Sequence, residues 1–353
     1  KRDLVMLRFV QEDWDEDGDF LAYRNEGAGR FARRAGALTR SRKYDRTMPL
    51  TMADFDLDGN LDLYLGFPGT RDFTTLGRGP QPLASQGVWL NGGKWDFREM
   101  GQAPSFFHPD NHYPHSAIAA DFDRDGRPDL VVLNDRAGTS PVYRNRPDGS
   151  FEDVSAKSGI VNESWAMTAA AADYDGDGFT DLALTNIDFA AGRRILASRA
   201  GRESGPEEKA ALARLAGHLV GNRLFRNRGD GTFEETTDKS GIRWAGEAAA
   251  GAEWVDYDND GWLDLYVMNG LWSGGPRDIS SLFVRLQLKR MSPGGGALVH
   301  NALNSPLADL DAALEGTNPL LAILRGDASL SMAGGERNRF VAYNRILGEN
   351  TAP

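Results

Sequence analysis

The chain has 353 residues, of which 41% are hydrophobic and 41 are glycine, so it can bury a sizeable core and make the many turns of a β-rich fold. Its formal net charge of −11 argues against a nucleic-acid partner, because binding to phosphates requires a basic surface. The lack of cysteine excludes disulfide bonds, and no apolar run approaches the roughly 18 residues of a membrane span.

The N-terminal residues predict a strand and a hairpin. Asp3 is followed by the apolar run Leu4-Val5-Met6, which predicts the strand. Residues 21–31 predict the hairpin, because an apolar segment is followed by the turn sequence Asn-Glu-Gly and then by an aromatic residue. Between them, residues 13–19 (DWDEDGD) form an acidic loop that is a candidate for weak cation binding.

A nine-residue acidic pattern then occurs four times, at residues 54–62, 121–129, 173–181 and 256–264. Each copy has aspartate at positions 1, 3, 5 and 9 and glycine at position 6, as in DFDLDGNLD. Such carboxylates repel one another unless a cation neutralises them. Ca²⁺ is the first choice, because it accepts about six to eight oxygen ligands in irregular geometry, whereas Mg²⁺ prefers stricter octahedra and Zn²⁺ prefers His or Cys.

These loops differ from EF-hands at position 12, where an EF-hand has a bidentate Glu. The residues at position 12 are Leu65, Val132, Leu184 and Val267. Each loop is followed by a short apolar run that predicts a buried strand, and each is preceded by small residues. The predicted unit is therefore a strand, a cation-binding loop and a second strand.

Hairpin sequences accompany the loops. Each has an apolar strand, an Asn, a turn with Asp or Gly, and an aromatic residue; copies lie at residues 21–31, 88–97, 142–151 and 224–233, with a degenerate fifth at 340–344. One loop unit and one hairpin give four strands, the content of a propeller blade. The intervals of 67, 52 and 83 residues between loops fit blades with inserted segments.

These loops and hairpins, for example NRLFRNRGDGTFEETTDKSGI at residues 222–242, resemble the FG-GAP/VCBS repeats of integrin α-subunit propellers and of bacterial surface proteins related to cartilage acidic protein. The resemblance implies an all-β fold: a β-propeller of four-stranded blades with calcium loops and short helical insertions. About five blades are visible, whereas integrin propellers have seven. We expect one propeller domain over residues 1–353 that begins inside a blade, which makes Asp3 a candidate orphaned ninth ligand.

The resemblance also implies the calcium ligands, which are the side chains at positions 1, 3, 5 and 9 and the carbonyl at position 7. The implied metal-binding residues are Asp54, Asp56, Asp58, Asn60 and Asp62; Asp121, Asp123, Asp125, Arg127 and Asp129; Asp173, Asp175, Asp177, Phe179 and Asp181; and Asp256, Asp258, Asp260, Trp262 and Asp264. With one ion per loop, about four Ca²⁺ would offset eight of the eleven formal negative charges.

Three of the five histidines, His108, His112 and His115, lie in one short segment before the second acidic loop. If their side chains converge, they are candidates for binding a transition metal or haem iron, or for acid and base catalysis. The two prolines in the segment favour the alternative, an irregular exposed connection between blades.

Two insertions interrupt the repeats, at about residues 187–221 and 270–339. Residues 206–219 have apolar side chains at helical spacing, and the second insertion predicts helices at residues 278–290 and 306–314. Such helices either cover a face of the propeller or form a docking surface for a partner protein.

The leading functional hypothesis is an extracellular, cell-surface or periplasmic calcium-binding propeller that acts as a protein-binding, glycan-binding or adhesion module. The sequence has no Gly-x-Ser-x-Gly elbow, phosphate-binding glycine loop or His-Glu-x-x-His motif, which makes an enzyme the less favoured interpretation. Calcium sites of extracellular modules have a Kd of about 10⁻⁴–10⁻³ M, which supports this location. The alternatives are a lyase-like enzyme acting on polysaccharides through the histidine segment, and an accessory subunit of a larger extracytoplasmic assembly.

Overall fold

The computed structural model describes residues 3–7, 20–34, 38–39, 49–67, 85–93, 95–100, 114–134, 140–187, 196–197, 199–201, 205–242, 249–269 and 339–341. These residues are mostly β, in five sheets that are antiparallel apart from one short pairing. Three short or medium helices accompany them: α1 (Ser155–Ser158), α2 (Pro206–His218) and α3 (Thr237–Ser240). None of these helices is long and apolar enough to cross a membrane.

The sheets follow the repeats along the chain. The first has the order β1 (Leu4–Leu7), β2 (Phe20–Gly27), β3 (Arg30–Arg34). The second comprises β4 (Leu38–Thr39), β5 (Leu50–Ala53), β6 (Asp62–Phe67), β7 (Ser85–Asn91) and β8 (Phe97–Glu99), in the order β4-β8-β7-β6-β5. The third contains β9 (Pro114–Ala120), β10 (Asp129–Asn134), β11 (Val142–Asn145) and β12 (Phe151–Asp153), in the order β12-β11-β10-β9.

The fourth sheet has the order β13 (Ala166–Ala172), β14 (Asp181–Asn186), β15 (Arg223–Asn227), β16 (Phe233–Glu235). The fifth has the order β17 (Ala249–Val255), β18 (Asp264–Asn269), β19 (Arg339–Val341) within the described residues. The four-stranded sheets are consistent with propeller blades, whereas the number of blades and the closure of a ring stay predictions.

The predicted strand, loop and strand unit is confirmed. In the first, second and fourth loops, the residue before the loop pairs with the ninth aspartate: Ala53 with Asp62, Ala120 with Asp129, and Val255 with Asp264. The strands after the loops are mostly buried, as their apolar runs predict, and Leu130 to Leu133 of β10 have no exposed surface, although Met268 in β18 is exposed. Because these strands lie between two neighbours in their sheets, their backbone groups can pair along both edges.

The predicted hairpins are confirmed as the antiparallel pairs β2 with β3, β7 with β8, and β11 with β12. The degenerate fifth copy contributes β19, which pairs with β18. One pairing is not foreseen by the repeat pattern: β4 joins the second sheet in parallel with β8, and its two residues are too few to give a periodic signal.

The chain divides into two compact units. The first contains Lys1–Asn162, Asp177–Asp181 and Arg226–Glu234, and the second contains Glu163–Gly176, Leu182–Phe225 and Glu235–Pro353. In the first unit, one core cluster is centred on Tyr64, Leu130 and Tyr143, and another on Trp89. In the second unit, the rings of Tyr174 and Trp254 stack with their centroids 5.7 Å apart. Each unit therefore has its own apolar core.

Within the first unit, the hairpin asparagine connects neighbouring repeats. The side-chain amide of Asn145 donates to the carbonyl of Phe55 at 2.8 Å, and that of Asn227 donates to the carbonyl of Phe122 at the same distance. Both carbonyls belong to position 2 of the preceding acidic loop. Each asparagine thus ties its own hairpin to the loop of the repeat before it.

Aromatic pairs reinforce the same connection. The ring of Phe55 lies edge-to-face against Phe151, with 5.6 Å between centroids, and Phe122 lies in the same way against Phe233 at 5.5 Å. All four rings are buried, so each pair adds apolar burial to the geometric preference of the aromatic contact.

Proline changes one of the hairpins. Three hairpin asparagines accept a hydrogen bond from the backbone two residues later: Asn25 from Gly27, Asn91 from Gly93, and Asn227 from Gly229. In the third sheet that residue is Pro147, which has no N–H. The Oδ1 atom of Asn145 is buried and has no hydrogen-bond partner among the described residues.

The helix predicted at residues 206–219 is confirmed as α2, in which Leu215 is buried, and Leu219 caps its end. The helices predicted at residues 278–290 and 306–314, and the acidic segment 13–19, lie outside the described residues.

Replacing the two buried asparagines is expected to have unequal effects. Asn227→Ala removes bonds to the carbonyls of Phe122 and Thr180 and from the Gly229 amide, whereas Asn145→Ala removes one bond together with an unsatisfied oxygen. We expect a loss of about 2–4 kcal/mol for Asn227→Ala and about 1 kcal/mol or less for Asn145→Ala. Urea unfolding in EDTA measures both, with Arg98→Ala, which removes an exposed ion pair, as the control. Equal losses would contradict this account.

Candidate metal centres in the acidic loops

Carboxylates of the first loop are held together by its own backbone. Asp54, Asp56 and Asp58 each offer an oxygen, and these oxygens lie within 4.8 Å of one another. The amides of Asp58 and Gly59 donate to the two oxygens of Asp54 at 3.0 and 2.9 Å. The amide of Asn60 donates to Asp58 at 2.8 Å. The loop therefore orients its carboxylates by hydrogen bonds that leave further lone pairs of these oxygens available.

The second and fourth loops repeat this arrangement. The two oxygens of Asp121 accept from the amides of Asp125 and Gly126 at 3.1 and 2.9 Å. In the fourth loop, both oxygens of Asp256 accept from the amides of Asp260 and Gly261 at 3.0 Å. Their grouped carboxylates are Asp121, Asp123 and Asp129 in one loop and Asp256, Asp258 and Asp260 in the other, again with oxygens within 4.8 Å.

Two positions of each loop adopt a left-handed backbone. The glycine at position 6 has φ of +90° in the first loop, +87° in the second and +92° in the fourth. Position 4 is also left-handed although it is Leu57, Arg124 and Asn259 in these loops, with φ of 60°, 59° and 60°. The left-handed conformation at position 6 is foreseen from its glycine, whereas that of position 4 is not, because Leu and Arg rarely adopt it and only Asn259 is of a type that favours it.

The ninth aspartate has a structural role that the sequence does not reveal. Asp62 is fully buried, and its two oxygens accept from the amides of Phe55 and Asn91, both at 2.8 Å. Asp129 makes the same pair of contacts with the amides of Phe122 and Asn145, at 3.3 and 2.9 Å. This carboxylate joins the start of the loop to the hairpin of the same sheet. Its further role as a metal ligand stays a prediction.

Burial also affects how these carboxylates titrate. Desolvation raises the pKa of Asp62 above its usual value, and it raises the pKa of Asp129 to about 7, against the lowering effect of the backbone amides. The nearby carboxylates of Asp123 and Asp125 contribute to this raised pKa of Asp129. A cation placed in the second loop would favour the ionised form of Asp129, because opposite charge stabilises it.

Asp3 makes the contact that is typical of a ninth aspartate. Its Oδ1 accepts from the amide of Asn25, the hairpin asparagine of the first sheet, at 2.6 Å. This matches the bond from the Asn91 amide to Asp62. The alignment of residues 1–6 with the end of an acidic loop therefore agrees with the local hydrogen bonding, and metal binding by Asp3 stays a prediction.

Residues of the third loop are divided between the units. In the first unit, Asp181 accepts from the amide of Asn227 at 2.7 Å, as a ninth aspartate does in the other loops. Asp177 accepts from the amide of Phe179 at 2.9 Å and from the guanidinium of Arg226 at 2.7 Å. Asp173 and Asp175 belong to the second unit, where both are half-buried.

At position 7, the backbone amide bonds back to the loop. The amides of Asn60, Arg127, Phe179 and Trp262 donate to the aspartate at position 5 of their loops at 2.8, 2.9, 2.9 and 2.8 Å. These bonds close a tight turn at each loop. Calcium binding by the position 7 carbonyls stays a prediction.

The donor set fits a hard divalent cation. The grouped atoms are carboxylate oxygens, with no histidine or cysteine among them. Opposite oxygens around Ca²⁺ are about 4.6–5.2 Å apart, since each Ca–O distance is about 2.3–2.6 Å. Oxygens that lie within 4.8 Å of one another are therefore close enough for one ion to contact them together.

Of the three clustered histidines of the sequence hypothesis, the structure describes one. His115 lies in β9 and is half-buried, whereas His108 and His112 lie outside the described residues. A different histidine, His218, is buried in the second unit, where its Nδ1 contacts the carbonyl of Glu163 and its ring lies edge-to-face with Trp165 at 5.7 Å. These contacts give His218 a packing role at the end of α2.

Asp129 is expected to make the metal-free protein less stable as the pH rises. Because its folded pKa is raised to about 7, the folded state holds a proton that the unfolded state releases above about pH 4. That stabilisation is lost as the pH rises through 7. In EDTA, the decrease in thermal midpoint between pH 5 and pH 8 should be smaller for Asp129→Asn than for the wild type. The exposed Asp96→Asn is the control, and equal slopes in all three proteins would refute the effect.

Comparisons with known proteins find matches in the part of the chain that contains these loops. The family model for the FG-GAP-like repeat matches residues 121–184 and 213–267, which contain the second, third and fourth acidic loops. Cartilage acidic protein 1 of Mus musculus is 26% identical over 179 residues, which are 49% of this chain and 26% of that protein. The same protein of Homo sapiens is 25% identical over 179 residues, which are 49% of this chain and 25% of that protein.

The chain thus spans about a quarter of the length of these curated relatives. Among solved structures, the biofilm matrix protein Bap1 of V. cholerae is 14% identical, and the match covers 62% of this chain and 26% of that chain with a TM-score of 0.26. Residues 121–184 and 213–267 of this chain therefore match the FG-GAP-like repeat, and the chain resembles proteins that contain it.

Proposed function

We propose that this chain is a calcium-stabilised repeat module that binds a protein or carbohydrate partner outside the cytoplasm. The observation that carries the proposal is the set of carboxylate clusters in repeated loops, each arranged by backbone amides before any ion binds. Several separate loops share this arrangement, and the matched FG-GAP-like repeats contain three of the four acidic patterns.

Calcium suits these clusters better than other common cations. Their donor atoms are oxygens only, which disfavours Zn²⁺. The clustered carboxylates do not form the regular octahedron that Mg²⁺ prefers, whereas Ca²⁺ accepts irregular geometry. The ligands in this proposal are the aspartates at positions 1, 3 and 5, with the position 7 carbonyl and the ninth aspartate completing the shell.

Bound calcium would stabilise the sheets as well as the loops. The first aspartate is held by the amides of the loop, and the ninth aspartate is held by the hairpin of the same sheet. An ion that bridges these carboxylates connects the loop, the strand after it and the hairpin. In a chain without cysteine, such metal clips replace the constraint that disulfides give to other extracellular modules.

A rigid set of loops is suited to presenting side chains to a partner. In the first loop, Leu57 and Leu61 are 53% and 54% exposed, and in the fourth loop, Tyr257 and Trp262 are 51% and 43% exposed. Aromatic side chains of this kind are common at protein interfaces, because they combine a large apolar area with a polar group. We propose that these loop residues contribute to partner binding in their own units.

Calcium is expected to raise the stability of the protein reversibly. At about 10 mM Ca²⁺, a site with a Kd of about 10⁻⁴–10⁻³ M adds about 1–3 kcal/mol. Differential scanning fluorimetry should show a higher melting temperature in calcium, which excess EDTA reverses. The substitution Asp56→Asn, which leaves both amide bonds of Asp54 in place, should reduce the gain with little effect on the melting temperature in EDTA. An identical melting temperature in calcium and in EDTA would rule out the proposed role of the metal.

Partner binding is expected to require the metal-loaded loops. On arrays of polysaccharides and extracellular matrix proteins, the wild-type chain should retain a ligand in calcium and release it in EDTA. Trp262→Ala should weaken that binding while the calcium-dependent rise in melting temperature persists. Retention that is the same in EDTA and in calcium would show that the loops do not present the binding surface.

A further inference from the structure

An arginine beside the hairpin asparagine distinguishes the second acidic loop from the first. Arg144 precedes Asn145, and its Nε lies 2.8 Å from Oδ2 of Asp123, one of the clustered carboxylates of the second loop. The side chains of Arg144 and Asp123 are 27% and 11% exposed, so solvent screens this pair less than a fully exposed one. A second arginine, Arg127, contacts Asp125 of the same loop.

Arg144 is fixed in this position from two sides. Besides the ion pair with Asp123, its Nη2 donates to the carbonyl of Asp230 in the next hairpin at 3.1 Å. Both partners belong to the first unit together with Arg144. The guanidinium is therefore a positive charge that the fold holds beside the cluster.

The first loop lacks such a charge at the equivalent place. The residue before its hairpin asparagine is Leu90, which packs against an apolar core cluster. At position 7 it has Asn60, a neutral side chain that donates to both oxygens of Asp58 at 3.0 Å. Within the described ranges, no lysine or arginine forms an ion pair with the three clustered aspartates of this loop.

We propose that Arg144 is a built-in counter-cation of the second loop, which weakens calcium binding there so that the first loop fills at a lower calcium concentration. This inference rests on the proposed calcium binding. An ion coordinated by Asp123 must share that carboxylate with the guanidinium, and the two cations repel each other across a few ångströms. The first loop also has four aspartates, and within the described ranges no guanidinium pairs with its three clustered carboxylates, so an ion there meets no competing charge of this kind.

If the loops bind calcium in this order, the repeats have different roles. The first loop retains its ion when calcium is scarce and keeps its sheet ordered. The second loop completes its shell only when calcium is plentiful, and Arg144 supplies part of the missing charge at lower concentrations. Because Arg144 also bonds to the next hairpin, we expect calcium binding in the second loop to affect the neighbouring repeat.

The test uses full-length chains in which single loops remain intact. The second-loop chain carries Asp56→Asn, Asp175→Asn and Asp258→Asn, so only its second loop keeps all four aspartates. The first-loop chain carries Asp123→Asn, Asp175→Asn and Asp258→Asn, so only its first loop keeps them. Isothermal titration with CaCl₂ should give the first-loop chain the tighter binding. Adding Arg144→Leu to the second-loop chain should tighten its binding roughly tenfold, as expected for removing one nearby unit charge, whereas Arg144→Lys should not.

The reciprocal exchange provides a matched control. Leu90→Arg in the first-loop chain places the same charge at the equivalent position and should weaken its calcium binding. This variant also decides the question if Arg144→Leu fails to fold. Equal affinities of the two loops, or affinities that neither exchange changes, would overturn the inference alone. A wild-type chain that takes up no calcium would overturn the proposed function on which it rests.

Discussion

The buried aspartate at the ninth loop position is the contact on which each repeat depends. In the first acidic loop, Asp62 accepts one amide from the loop and one from the hairpin, with no exposed surface. A buried carboxylate is costly unless it is hydrogen-bonded, and these amides supply the bonds. The same residue begins the strand that follows the loop and pairs with Ala53, so its position sets the register of that strand relative to the loop.

From this contact, the connections extend to the neighbouring repeat. The asparagine whose amide reaches the ninth aspartate also reaches, through its side chain, the loop of the preceding repeat, as Asn145 does with Phe55. One asparagine therefore connects a carboxylate, a hairpin and an adjacent sheet. Because these contacts link the ninth aspartate to two sheets, we expect a cation in the loop to affect both of them.

Much of this architecture follows from the sequence. The acidic pattern, its glycine and the apolar run after it define strands whose observed bounds, such as Asp129–Asn134, begin at the ninth aspartate. The hairpins follow from the Asn and Gly turns, and α2 follows from helical spacing. These features are local, so a short window of sequence contains the physical cause.

Contacts between residues that are far apart in the sequence cannot be predicted from local patterns. The ion pair of Arg144 with Asp123 and the bond from Arg144 to Asp230 join three segments of the chain. The bond from Asn227 to Phe122 spans 105 residues. The unsatisfied oxygen of Asn145 is a further example. The other hairpins show that this oxygen normally accepts from the amide two residues later, and Pro147 has no such amide.

The most direct test of the account is a count of bound ions. Native mass spectrometry of the protein in calcium should show about four Ca²⁺ per chain, one for each acidic loop, and Asp54→Asn with Asp56→Asn should remove one of them. No bound calcium, or a count that stays the same when the first loop loses these carboxylates, would contradict the claim that the acidic loops are metal centres.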